Sequence, residues 1–136
     1  MLLRRYMGIL VNPTGGTIRN DTQGHGYWRA PRGERLHRGV DFDGEPGQIV
    51  VAPCGGEIVR VVYPYADDMR FEGVRIRNER LTLRLYYVRV SPVLVSKKIT
   101  AGQPIGELQD ITLRYGKGMR THAHLEIEAV DPLLLL

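Results

Sequence analysis

Two short histidine motifs, far apart in the chain, restrict the fold more than any other feature of the sequence. Residues 37–41 read His-Arg-Gly-Val-Asp, and residues 122–126 read His-Ala-His-Leu-Glu. Two imidazoles and one carboxylate are a donor set typical of catalytic zinc, and a third imidazole remains for proton transfer. The fold is therefore expected to bring the two motifs together.

The second motif is predicted to lie on a β-strand. His122 and His124 are two residues apart, so on a strand their side chains point to the same face. The alternation of apolar and polar residues at 125–129 supports this assignment. The first motif follows a Gly- and Arg-rich segment and precedes a turn at 43–47, which predicts a loop that runs into a very short strand at 40–42.

The rest of the chain predicts an all-β fold with long loops and little helix. Stretches rich in β-branched residues or with strict alternation predict strands at 48–53, 57–63, 73–77, 81–90, 97–100 and 105–108. The first two, separated by a Cys-Gly-Gly turn, predict a β-hairpin. Residues 12–39, 64–71 and 111–121 are predicted as loops, and a turn near the C-terminus is the one helical element expected.

Composition narrows the functional classes. The chain has 136 residues, 43% hydrophobic and 25% charged, which is typical of one globular domain. A net charge of +4 suits an anionic partner, but no nucleic-acid recognition motif accompanies it. The single cysteine, Cys54, excludes an internal disulfide. The apolar run at 7–11 is too short for a signal-peptide core or a membrane span, so neither is expected.

Five motifs, in order along the chain, resemble the lysostaphin-type zinc metallopeptidases. They are His-x-Gly-x-Asp at 37–41, Val-x-Ala-Pro-x-x-Gly-x-Ile at 50–58, Ala-Gly-Gln-x-Ile-Gly at 101–106, His-x-His-Leu-Glu-Ile at 122–127 and Asp-Pro at 131–132. That family consists of β-fold endopeptidases that cut the peptides of bacterial peptidoglycan. The resemblance implies an antiparallel β-sandwich or hybrid barrel: a single domain over 1–136, with 1–23 as an N-terminal arm or loop and 24–136 as the core.

The resemblance also implies roles for individual residues. The zinc ligands of the family correspond to His37, Asp41 and His124, and its general base corresponds to His122. The family usually has a second catalytic histidine in a Tyr-x-His strand, but no histidine lies between His37 and His122. Tyr87 is the expected replacement as a hydrogen-bond donor, with Tyr86 as the alternative.

Alternation in the strand at 81–90 bears on that choice. It puts Leu83, Leu85 and Tyr87 on one face and Thr82, Arg84 and Tyr86 on the opposite face. In lacking the histidine, the sequence is similar to the leukocyte cell-derived chemotaxin branch, animal secreted proteins regarded as zinc-binding relatives without peptidase activity. The single cysteine and the expected absence of a signal peptide favour a bacterial or phage member instead.

Three functional hypotheses follow. The first is a zinc endopeptidase with peptidoglycan peptides as substrates, acting from a phage particle or after release into the periplasm or cell wall, with phage tail or envelope proteins as partners. The second is a zinc-binding relative that is catalytically weak or inactive and acts as a structural or envelope-binding module. The third, a lipoyl- or biotinyl-carrier domain, needs a lysine on a hairpin tip, and residues 59–96 contain no lysine. It is therefore disfavoured.

Overall fold

The chain folds into two main antiparallel sheets. The structure is a computed structural model and describes residues 10–32 and 35–135. Most of the apolar run at 7–11 and part of the predicted N-terminal arm lie outside these residues. The strands are β1 Asn20–Asp21, β2 Gly24–His25, β3 Pro31–Arg32, β4 Arg35–Leu36, β5 Val40–Asp43, β6 Ile49–Val51, β7 Gly56–Val62, β8 Gly73–Arg77, β9 Leu81–Tyr86, β10 Val88–Val90, β11 Lys98–Ile99, β12 Pro104–Leu108 and β13 His122–Val130.

Helix is scarce, as the sequence predicts. The described residues contain one turn of α-helix, α1 Thr112–Tyr115, and 3₁₀ turns at Pro92–Leu94 and Pro132–Leu135. The α1 turn lies within a segment predicted as a loop. At its start, the carboxylate of Asp110 accepts a hydrogen bond from the backbone N–H of Thr112 at 3.0 Å. The 3₁₀ turn at Pro132–Leu135 agrees with the turn expected near the C-terminus.

The larger sheet has six strands in the order β11-β7-β8-β9-β13-β5, and the smaller has three in the order β10-β12-β6. Two further two-stranded sheets, β1-β2 and β3-β4, lie in the N-terminal segment. Apolar side chains of both main sheets form one buried cluster, which includes Val50, Ile58, Leu83, Leu85 and Ile105. Burial of these residues from both sides is the main stabilising contribution to a two-layer β fold. The all-β prediction is confirmed.

The hairpin predicted over 48–63 is wrong. β6 pairs with β12 in the smaller sheet, whereas β7 pairs with β8 and β11 in the larger one. The intervening turn therefore carries the chain from one sheet to the other. Both strands are apolar because each faces the shared core, and local sequence does not distinguish that arrangement from direct pairing.

A sharp backbone turn divides the long strand predicted at 81–90. Tyr87 has a φ of 69°, an uncommon value for a residue with a side chain. β9 ends before it in the larger sheet, and β10 begins after it in the smaller sheet. The two sheets are thus joined at Tyr87, the tyrosine predicted from the sequence to be a hydrogen-bond donor at the zinc site.

Gly39 allows the segment ahead of β5 to lie against β13. A Cβ atom at this position would lie 2.2 Å from the carbonyl oxygen of Leu125 and 2.9 Å from Nε2 of His124. Backbone cannot yield to such a contact as a flexible side chain can. The glycine is therefore required by close packing.

We expect Gly39→Ala to lower the free energy of unfolding by about 1–3 kcal/mol, because the added methyl group forces the segment away from β13. Urea denaturation of metal-free protein measures this change. Gly55→Ala is the matched control, since a Cβ there meets its nearest atom at an ordinary 3.5 Å. Equal stability of Gly39→Ala and wild type would contradict the packing argument.

Candidate metal centre

The register of β5 and β13 brings the two histidine motifs together. The two strands are antiparallel neighbours, and His124 lies directly opposite Asp41. His37 precedes β5 and folds back beside them, so Nε2 of His37 lies 3.2 Å from Oδ1 of Asp41 and 3.0 Å from Nδ1 of His124. Nδ1 of His124 is 2.7 Å from the same Asp41 oxygen. Three donor atoms of the kinds that bind zinc therefore meet at one point.

Hydrogen bonds fix which ring nitrogens face this point. Nδ1 of His37 donates to the carbonyl oxygen of Tyr27 at 2.9 Å, which leaves Nε2 facing Asp41. Nε2 of His124 donates to Oε1 of Glu126 at 2.9 Å, which leaves Nδ1 facing the cluster. Carboxylate and carbonyl acceptors behind metal-binding histidines orient the rings in this way.

The charges of the cluster favour a cation. Burial acts to raise the pKa of Asp41, but hydrogen bonds from His124 and His37 outweigh it and hold that pKa well below its usual range. Burial acts to lower the pKa of His124, but hydrogen bonds to Asp41 and Glu126 raise it to about 9. A metal ion bound here would therefore displace the Nδ1 proton of His124, while the Nε2 proton stays on His124 and remains hydrogen-bonded to Glu126.

His122 lies on the same face of β13 and is 4% exposed. Its Nδ1 donates to the carbonyl oxygen of Arg120 at 2.7 Å, and its Nε2 lies 3.7 Å from Oδ2 of Asp41. Burial lowers the pKa of His122. The ring is therefore neutral near pH 7, and its Nε2 can accept a proton.

The two candidate tyrosines occupy different positions. The ring of Tyr86 stacks on His124 with centroids 5.9 Å apart, and its hydroxyl accepts a hydrogen bond from Arg84 at 3.1 Å. The ring of Tyr87 meets His122 edge-on with centroids 5.1 Å apart. Tyr87 lines the cavity at the cluster, together with His37, Asp41, His122 and His124.

The predicted face of Tyr87 needs correction. Leu83 and Leu85 belong to the main core, but Tyr87 packs in a separate cluster with Tyr86 and Phe71. The positive φ of Tyr87 is the physical reason, since it ends the strict alternation of the strand. Tyr87 reaches the cavity because of the backbone turn rather than because of strand periodicity.

The cavity has a volume of about 360 Å³, and several of its lining residues had no role predicted from the sequence, among them Arg19, Tyr65, Tyr115 and Glu126. Period two along β13 places Glu126 on the face of His122 and His124, so its position was available from the sequence. Arg19 and the two tyrosines come from segments predicted as loops, and no sequence pattern identified them. A larger polar groove of about 700 Å³ adjoins this cavity at Met119.

Hydroxyl groups form a chain along one wall of the cavity. The hydroxyl of Tyr65 lies 2.6 Å from that of Tyr87 and 2.7 Å from that of Tyr115. The guanidinium of Arg114 lies over the ring of Tyr65, 3.8 Å from its centroid. Burial raises the pKa of Tyr87, so its phenol stays protonated and can donate a hydrogen bond.

Comparison with known proteins identifies a family and several relatives. A family model described as Peptidase family M23 matches residues 35–132. Leukocyte cell-derived chemotaxin-2 of Bos taurus is 30% identical over 131 residues, which cover 94% of this chain and 85% of that protein. None of the helices among the described residues is both long and apolar enough to cross a membrane.

Two solved structures show the same fold. The catalytic domain of lysostaphin from Staphylococcus simulans superposes with a TM-score of 0.54 and 20% identity, covering 100% of this chain and 98% of that one. Csd3 of Helicobacter pylori gives a TM-score of 0.61 and 18% identity over 92% of this chain, but this chain spans only 32% of the Csd3 chain. The family model covers well over half of the sequence. The chain therefore belongs to peptidase family M23 and is of the lysostaphin type.

Proposed function

We propose that this protein is a zinc-dependent endopeptidase that cleaves the peptide cross-links of bacterial peptidoglycan. The observation that supports it best is the convergence of Nε2 of His37, Oδ1 of Asp41 and Nδ1 of His124, with the neutral imidazole of His122 beside them. Membership of a peptidase family supports hydrolysis of a peptide bond. The net charge of +4 suits an anionic wall polymer.

His37, Asp41 and His124 are the proposed zinc ligands. Their donor set fits the metal, because both imidazoles already have acceptors on their outer nitrogens and the carboxylate between them is ionised. Zinc, when bound, supplies a Lewis acid that polarises the scissile carbonyl and makes water acidic enough to attack it near neutral pH.

His122 is the proposed general base. Because its Nδ1 proton is held by the carbonyl oxygen of Arg120, Nε2 is the atom that takes the proton of the attacking water. The imidazolium so formed lies 3.7 Å from Oδ2 of Asp41, whose negative charge stabilises it. The same Nε2 then returns the proton to the leaving amine.

Tyr87 is the proposed donor to the oxyanion that develops on the carbonyl oxygen. A protonated phenol beside His122 supplies one hydrogen bond at the position where the family usually has a histidine. Its burial suits this role, because a hydrogen bond formed away from water stabilises developing charge more strongly than one formed in water.

A non-catalytic zinc-binding module is the second candidate. One specific observation favours it: no histidine lies between His37 and His122, in a chain that is similar to chemotaxin-2 along most of its length. In that case the same ligands would hold zinc for structural reasons, and the cavity would bind an envelope component without cleaving it.

The setting of the activity is proposed as well. We infer a bacterial or phage member that meets peptidoglycan either as part of a virion or after release into the periplasm or cell wall. Other phage tail or envelope proteins are the partners expected for the first setting. Detection of the protein in purified phage particles distinguishes the two.

The first test uses zinc-loaded protein and purified peptidoglycan of several wall types, with release of new amino groups as the measurement. We expect His122→Ala to lower the rate about 10²–10⁴-fold while zinc stays bound, because the general base is lost. His25→Ala is the matched control, since His25 is exposed and does not line the cavity. If zinc-bound wild type releases no amino groups from any wall type, the non-catalytic zinc-binding module is the remaining candidate.

The second test concerns the oxyanion donor. We expect Tyr87→Phe to lower kcat about 10²–10³-fold with little change in KM, because the lost hydrogen bond forms chiefly in the transition state. Tyr86→Phe serves as the control, since its hydroxyl is bonded to Arg84 and it does not line the cavity. Equal losses in the two variants would refute the role assigned to Tyr87.

The third test concerns the acceptor behind His124. We expect Glu126→Ala to weaken zinc binding about 10–100-fold, because the ring of His124 loses the partner that orients it. Competition with a chromophoric chelator measures this affinity. Glu128→Ala is the control, since Glu128 lies two residues further along β13 and pairs with Arg75 and Arg84 instead. An unchanged affinity in Glu126→Ala would exclude Glu126 from the site.

A further inference from the structure

Arg19 is a buried charged residue outside the two histidine motifs. It is 1% exposed, and a guanidinium removed from water requires compensating partners. Its Nε donates to Oδ2 of Asp41 at 3.0 Å, and its Nη1 donates to Oδ1 of Asp21 at 2.7 Å. All three side chains are at least nine-tenths buried. The charge of Arg19 is therefore shared between a proposed zinc ligand and a second carboxylate.

The backbone holds Arg19 and Asp41 side by side. The N–H of Arg19 donates to the carbonyl oxygen of Asp41 at 2.9 Å, and the N–H of Asp41 donates to that of Gly26 at 2.6 Å. A Cβ on Gly26 would lie 2.5 Å from Cβ of Asp41 and 2.8 Å from Cβ of Arg19. Only glycine fits there. The backbone hydrogen bonds and the close packing of Gly26 together fix the spacing between the side chains of Arg19 and Asp41.

This contact divides the two oxygens of Asp41 between different partners. Oδ1 faces His37 and His124, whereas Oδ2 accepts the hydrogen bond from Arg19. With Oδ2 held in this way, Oδ1 is the oxygen directed to the metal position. Arg19 thus favours coordination through one oxygen, which suits a tetrahedral zinc site.

The second partner of Arg19 leads to the proposed general base. Oδ2 of Asp21 accepts the backbone N–H of Arg120 at 2.7 Å. The carbonyl oxygen of Arg120 in turn accepts the Nδ1 proton of His122 at 2.7 Å. The ion pair of Arg19 and Asp21 therefore connects, through one residue of backbone, the ligand Asp41 to the ring of His122.

We propose that Arg19, acting with Asp21, is a positioning residue that orients both the zinc ligand Asp41 and the base His122. This inference rests on the proposed function, because it assigns Arg19 to the same metal site. Arg19 acts through these two residues and is not itself a catalytic residue. The competing explanation is that the ion pair only attaches the N-terminal segment to the sheet, which would affect stability but not metal affinity.

The test compares zinc affinity in Arg19→Lys, which keeps the charge but loses the two-sided geometry, with wild type. We expect a loss of about 10–100-fold in zinc affinity, as for other residues that orient ligands. Cobalt(II) in place of zinc provides a spectroscopic measurement: its visible absorption should weaken, because a freed Oδ2 raises the coordination number above four. Circular dichroism confirms that the variants are folded.

Two further variants keep the test decisive. Gln48→Ala is the matched control, since Gln48 bonds to Thr14 and Glu45 and attaches the same N-terminal segment without contacting Asp41. Asp21→Asn serves if Arg19→Lys does not fold. It should weaken zinc binding and reduce the population of the Nδ1-protonated form of His122, read from ¹⁵N imidazole resonances.

Each outcome has one meaning. Wild-type zinc affinity in the folded variants, or an equal loss in Gln48→Ala, would overturn the positioning role and leave the proposed function intact. A wild type that binds zinc but hydrolyses no peptidoglycan would refute the proposed peptidase activity. The comparison of zinc affinities would still decide the role of Arg19. A wild type that binds no zinc would overturn both.

Discussion

The buried carboxylate of Asp41 is the group on which the arrangement of the site depends. A charge removed from water requires close partners, and here they come from three separate parts of the chain: Arg19, His37 and His124. Each of these side chains would be unfavourably placed without the carboxylate, just as the carboxylate would be without them. Folding of the N-terminal segment, of β5 and of β13 is therefore coupled at one residue, and the proposed metal position is formed by that coupling.

The strand register explains why so few residues are needed to build the site. Pairing of β5 with β13 sets His124 opposite Asp41, and period two along β13 then places His122 and Glu126 on the same face. A slip of one residue would turn all three side chains away from Asp41. The two apolar residues that alternate with them, Ala123 and Leu125, prevent that slip because they are buried in the core. Packing of the sandwich and geometry of the proposed metal centre are thus specified together.

Features that depend on local periodicity were predictable from the sequence, and features that depend on distant pairing were not. The strand that carries His122 and His124 and the short strand at Asp41 follow from alternation and turn residues. The pairing partner of β6 and the positive φ of Tyr87 are decided by the other sheet, about which the local sequence carries no information. The burial of Arg19 was not predictable for the same reason. An arginine in a loop is normally exposed, and the burial of this one depends on Asp41.

The row of three tyrosines gives the site a property that a histidine would not. Each phenol has one proton, and the hydroxyl of Tyr65 lies between those of Tyr87 and Tyr115. If the hydrogen bonds run from Tyr115 through Tyr65 to Tyr87, the proton of Tyr87 remains available to a substrate. In the opposite direction, that proton is donated to Tyr65 and the cavity has lost its donor. The proposed oxyanion role requires the first direction, so the orientation of hydroxyl groups outside the metal centre separates a peptidase from a binding module built on the same ligands.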